Sequence, residues 1–193
     1  MQRRAVFGLF LLPLARGQGT CAPTPALTQG PYYLRDVPRR EDLREGLPGV
    51  PLRLLLRVRD RACRPLQGAR VDLWHTDALG RYSGVNAPGT FCRGWQATDE
   101  RGEVAFLTLF PGWYPSRTPH LHLRVEAGGR VFATQLFFPE EVQRQVYALP
   151  PYRERGMPRV NNRQDGLFRA DLLLRLEREG EAYRGAFVLT LPG

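Results

Sequence analysis

PHLHLRVEAGGRVFATQLFF, residues 119–138, decides the fold class. Its halves PHLHLRV and RVFATQLFF read as two strands joined through AGG. Successive side chains of a strand point to opposite faces. Leu121, Leu123 and Val125 therefore share one face, and His120, His122 and Arg124 share the other. The leucine face packs a core, and the histidine face looks onto something polar.

The same period of two recurs on the N-terminal side. RVDLWHT (70–76) sets Val71, Leu73 and His75 against Asp72 and Trp74. PLRLLLRV (51–58) reads as a strand, and RACRPLQGA (61–69) as a turn. DALGRYSG (77–84) is a turn and strand start, and RGWQATDERGEVAFLTLF (93–110) holds two short strands around the turn DERG. On the C-terminal side, PEEVQRQVYAL (139–149) forms one short helix and PPYRERGMPRVNNRQDG (150–166) a long loop. DLLLRLEREGEAYRGAFVLTL (171–191) then closes the chain as a strand pair with a Gly-containing turn. Short strands separated by Gly and Pro turns predict an all-β antiparallel β-sandwich with long loops.

A chain of 193 residues supports one such domain, assigned to residues 51–193. Residues 18–50 are rich in Pro, Gly and polar residues and predict an extended N-terminal arm. Residues 1–17 read as a signal peptide: a basic MQRR start, the apolar run AVFGLFLLPLA, and small residues at Ala15 and Gly17. The run is too short to span a bilayer. Arg3-Arg4 directly before it favours the twin-arginine route over the general one. The protein is therefore expected to be exported to a periplasmic or extracellular location. There an oxidised pair between Cys21 and Cys63 is expected, leaving Cys92 over.

The net charge of +9 falls to +6 once Arg3, Arg4 and Arg16 are removed with the signal. All the cationic residues are arginines, scattered rather than striped, so a nucleic-acid partner is not expected. The absence of lysine excludes Schiff-base and P-loop phosphate chemistry.

Two imidazoles on one strand face are a common start to a metal site, although a pair of hydrogen-bonded histidines reads equally well from that spacing. Tyr114, in FPGWYPSR, stands six residues before His120. A phenol of ordinary pKa near 10 binds a metal only if the metal is a strong Lewis acid. Tyrosine beside paired histidines thus points to ferric iron rather than zinc or ferrous iron; a packed turn tyrosine is the structural alternative.

The stretches LWHTDALGRYSG, RGWQATDERGEVAFLTLFPGWYPSRTPHLHLRV and ATQLFF, in that order, resemble the intradiol ring-cleavage dioxygenases, the family of the catechol and protocatechuate enzymes. The likeness runs from about Thr24 to about Phe168. It implies that Tyr82, Tyr114, His120 and His122 hold a non-haem Fe(III). The implied reaction opens a small aromatic diol with O2 between its two hydroxyl-bearing carbons, giving a muconate-type diacid. The resemblance also assigns catalytic roles to three residues. Tyr114 takes a substrate proton and leaves the metal, Arg117 stabilises negative charge on the activated ring, and Gln135 sits on the oxygen side. His75 is read as a core or neighbouring histidine and not a ligand; Tyr32 and Tyr33 are read as packing near the site entrance, with substrate contact as the alternative.

The chain departs from the better-known members in its short link from Tyr114 to His120 and in lacking room for a helical dimerisation domain. The short link predicts a more open site, and both departures, together with the export signal, predict a compact extracytoplasmic relative whose substrate is bulkier than catechol. They leave the oligomeric state open. Two other readings compete: a non-enzymatic transthyretin-like spacer or binding module, and a sandwich holding copper. The copper reading lacks a Cys or Met beside the histidine pair.

Overall fold

Leu52, Leu54, Leu56 and Val58 alternate along the first strand with Arg53, Leu55 and Arg57, and the first set is buried while the second is exposed. That alternation seats β1 (Pro51–Arg59) on the core, where each buried Leu contributes about 1.5–3 kcal/mol. The computed structural model describes residues 20–193; the signal-peptide reading of residues 1–17 lies outside them.

The strands that follow are β2 (Arg70–Trp74), β3 (Arg93–Ala97), β4 (Glu103–Leu109), β5 (His120–Ala127), β6 (Arg130–Phe137), β7 (Arg175–Glu179) and β8 (Ala182–Thr190). One sheet has the order β4-β1-β8-β7 and the other β3-β2-β5-β6. The apolar faces meet in one cluster that includes Leu52, Leu54 and Phe106 from the first sheet and Leu73, Leu121 and Leu123 from the second. This is the expected sandwich. The helix α1 (Glu140–Tyr147) follows β6 and buries Gln143, Val146 and Tyr147.

Two details differ from the expectation. β8 runs parallel to β1, so the first sheet is mixed rather than antiparallel. Leu173, just before the closing hairpin, bridges Phe137 at the end of β6, and β7 then pairs antiparallel with β8. The two strands around the DERG turn form as expected, β3 pairing with β2 and β4 with β1, so the turn carries the chain between sheets. DALGRYSG starts no strand; Asp77 Oδ1 accepts from the amides of Leu79 and Arg81, and the Tyr82 carbonyl accepts from Val85, Asn86 and Ala87. These local bonds hold the segment as a compact loop.

Residues 20–50 make no helix and cover sheet edges. Leu27 N–H donates to Ala133 O on β6, and Arg39 and Asp42 bridge Trp95 on β3 and Leu107 on β4. Covered edges offer no pairing surface to another chain. Cys21 and Cys63 form a disulfide that ties this segment to the turn after β1, and Cys92 is a free, buried thiol. Between these anchor points the segment crosses the second sheet on the face turned away from the core. Every residue from His120 to Val125 is consequently buried, on both faces of β5.

Candidate metal centre

His120 and His122 project from β5 to the covered face, with Nε2 atoms 3.0 Å apart. His120 Nδ1 lies 2.7 Å from the Thr118 carbonyl. A carbonyl only accepts, so Nδ1 carries the proton and Nε2 presents its lone pair inward. Trp74, directly opposite His122 on β2, stacks on that ring at 5.0 Å and 8° and fixes its plane.

Tyrosine oxygens complete the cluster from two loops. Tyr82 Oη is 3.1 Å from His122 Nε2, and Tyr114 Oη is 3.3 Å from His120 Nε2. Two glycines let the loops meet. A Cβ on Gly80, whose φ is +76°, would lie 2.1 Å from the Trp113 carbonyl; one on Gly112 would lie 2.4 Å from the Ala78 carbonyl. The backbones of the Tyr82 and Tyr114 loops therefore touch, and no larger residue fits at either point.

The four donor atoms fit a metal. Donors that share one metal at about 2.0–2.2 Å lie roughly 3–3.5 Å from one another, and the contacts along this chain are 3.0–3.3 Å. Among the described residues no three or more His, Cys, Asp or Glu converge, so the donors this cluster offers beside its two imidazoles are phenols. Without a cation, burial holds His120 down to about 3 and His122 well below the usual imidazole range, with Arg117 adding to both. Burial pushes the phenol of Tyr82 well above 10 and raises Tyr114. The site is thus two neutral imidazoles and two phenols that ionise only against a strong positive charge. Such a donor set suits a hard, highly charged cation.

Arg117 borders the cluster beside Tyr114. Its Nε donates to Asp165 Oδ2 at 2.8 Å and its Nη2 to Gln135 Oε1 at 2.6 Å. Gln135 in turn donates to the Thr28 carbonyl at 3.0 Å. Arg117 and Gln135, expected separately, are direct partners. Tyr32 lies against the Tyr82 ring at 4.8 Å, and Tyr33 against Trp74 at 5.2 Å. His75 belongs to the core: it is fully buried, with Nδ1 on Thr76 O and Nε2 on Thr108 Oγ1.

A family model described as Dioxygenase matches residues 28–147, a span that contains all four donors. The chain belongs to the intradiol ring-cleavage dioxygenase family. A solved intradiol ring-cleavage dioxygenase from Tetranychus urticae superposes with a TM-score of 0.81 at 32% identity, covering 89% of this chain and 94% of that one. The dioxygenase domain of a carbohydrate-binding fusion from Streptomyces sp. SirexAA-E gives 0.73 at 37% identity, over 89% and 99% of the two chains. Chlorocatechol 1,2-dioxygenase of Rhodococcus opacus is 28% identical over 144 residues, 60% of this chain and 56% of that one. The chain thus spans little more than half the length of that relative.

For an intradiol-family site, three residues matter that the sequence reading passed over. Trp74 was findable, because strand parity puts it on the histidine side of its sheet. Arg93 opens β3 in line with it. Asp165 sits in a long loop with no motif, and nothing in the sequence around it marks it out.

Proposed function

We propose that this chain is a non-haem Fe(III) intradiol dioxygenase that opens a catechol-type ring with O2 between its two hydroxyl-bearing carbons. The observation that carries the reading is the meeting of two phenol oxygens and two imidazole nitrogens at 3.0–3.3 Å spacings. Tyr82, Tyr114, His120 and His122 would hold the iron. When bound, ferric iron supplies Lewis acidity that draws electron density from a chelated catecholate and opens the ring to O2.

The chain's own residues account for the rest. Tyr114 is on the more accessible side, in a turn whose Pro115 and Ser116 are exposed, so its oxygen can take a substrate proton and swing away. Tyr82 is buried and held by its loop, so it stays in place. Arg117 keeps its guanidinium at the rim, fixed by Asp165 and Gln135, where it faces negative charge developing on the ring. Thr118 sets the orientation of His120. Tyr32 and Trp74 wall the cluster from water on the covered side. We further read residues 1–17 as an export signal, a reading that the Cys21–Cys63 disulfide supports.

Iron-loaded protein should be red-brown from tyrosinate-to-iron charge transfer and should consume O2 with some member of a panel of catechols, hydroxyquinols and lignin-type diphenols. Its product should be a muconate-type diacid. Protein that stays colourless after ferric reconstitution, and leaves the whole panel untouched, would return the chain to a transthyretin-like spacer role.

A further inference from the structure

A buried cation without a counter-charge lies beside Tyr82. Arg93, Trp74, His122 and Gln135 form one row across four adjacent strands of the second sheet. Arg93 is 1% exposed. Its Nε donates to the Ser83 carbonyl at 2.9 Å and to Ser83 Oγ at 3.1 Å; its Nη1 donates to the Tyr32 carbonyl at 2.6 Å. Nη2 is buried with no hydrogen-bond partner, and the guanidinium lies 5.6 Å from the centre of the Tyr82 ring. Among the described residues Arg93 makes no ion pair.

Burying a guanidinium with only neutral acceptors is costly, and an apolar side chain would pack the start of β3 more cheaply. What Arg93 provides is a connection. Its acceptors belong to two segments distant in sequence: Tyr32 in the covering arm and Ser83, the residue after Tyr82. The Tyr82 ring also touches Tyr32, at 4.8 Å. The guanidinium fork therefore binds both segments while lying near the ring they share. Lysine, a point charge on a flexible stem, cannot make both connections in that geometry.

We propose that Arg93 is a positioning residue for Tyr82, clamping the arm at Tyr32 and the loop at Ser83 so that seating the arm and placing the Tyr82 oxygen are one event. The functional part of this inference rests on the reading of Tyr82 as an iron ligand. The clamp itself does not.

R93Q and R93K test it by two measurements. In iron-free protein, amide hydrogen exchange should rise about tenfold or more around residues 32–34 and 83–87 in both variants, with the β1 and β5 core amides unmoved. In ferric protein carrying Y114F, where Tyr82 is the one remaining tyrosinate, R93Q should shift the charge-transfer band and weaken iron binding about tenfold. R93K should fail to restore either property. Should R93Q not fold, R93K takes both measurements alone. Unchanged exchange at both segments would overturn the clamp. Loosened segments with an unmoved band would overturn the positioning role and leave Arg93 purely structural. Should wild-type protein bind no iron, the ferric reading falls, while the exchange experiment still decides whether the clamp exists.

Discussion

Replacing Asp165 with Asn changes no volume and removes one buried charge beneath Arg117. The Asp165 side chain is 1% exposed and that of Arg117 15%. Oδ2 accepts from Arg117 Nε at 2.8 Å and from Thr118 N–H at 3.0 Å; Oδ1 accepts from Leu167 N–H at 2.9 Å. Both oxygens thus face donors. An amide must turn its NH2 toward one of them, setting donor against donor. Hydrogen bonds to a charged group are worth about 1.5–3 kcal/mol each, and removing one partner of a buried pair costs about 3–5 kcal/mol. Water reaches the Arg117 guanidinium, and Asn keeps one acceptor, so the expected loss is about 2–3 kcal/mol. Urea unfolding of iron-free protein at neutral pH measures it. The same substitution loosens Arg117, and with it Thr118, whose carbonyl orients His120. Turnover of the best substrate should therefore fall about 10- to 100-fold. A loss under about 0.5 kcal/mol, the scale of an ordinary surface change, with unchanged turnover would refute the reasoning.

Tyr114→Phe should leave urea stability near wild type, because the Tyr114 ring is only partly buried, and should shift the visible band of ferric protein; an unchanged spectrum removes Tyr114 from the ligand set. His75 has a native pKa depressed by burial to about 4, below its ordinary 6.5, so its stabilising contribution is complete above pH 6.5 and is lost as pH falls toward 4. That loss amounts to about 3 kcal/mol, and iron-free His75→Gln should show a correspondingly shallower fall in urea stability between pH 7 and 4 than wild type. Cys21→Ser opens a bond between cysteines 42 positions apart in sequence and should cost at most about 4 kcal/mol by the chain-entropy relation, read from the urea midpoint. Gly112→Ala should push the Tyr82 loop off the Tyr114 loop and weaken iron binding about tenfold or more, measured by chelator competition.

Strand periodicity is local, and it was enough to place the sandwich strands and to put His120 and His122 on one face. Composition made the segment before β1 irregular. Only the tertiary structure decided that this segment lies across the histidine face, because its covering contacts join residues far apart in sequence, such as Tyr33 with Trp74. The same holds for strand partners. The two strands around the DERG turn were legible, but pairing depends on which apolar face each strand must bury, and β3 and β4 bury theirs from opposite sheets.

The candidate site divides along the same line. His120 and His122 were legible from alternation, and Tyr114 from the chemistry a phenol brings beside imidazoles. Tyr82 entered only through resemblance to a family, since nothing local distinguishes it from any other loop tyrosine. What the chain alone determined was which donor atoms exist and which face of β5 carries two of them. What the fold decided was that Gly80 and Gly112 let two loops touch, that Asp165 returns from a distant loop to hold Arg117, and that Arg93 reaches both Tyr32 and Ser83. Each of these is a contact between segments distant in sequence, set by backbone approach and burial, and neither is written into the spacing of residues along the chain.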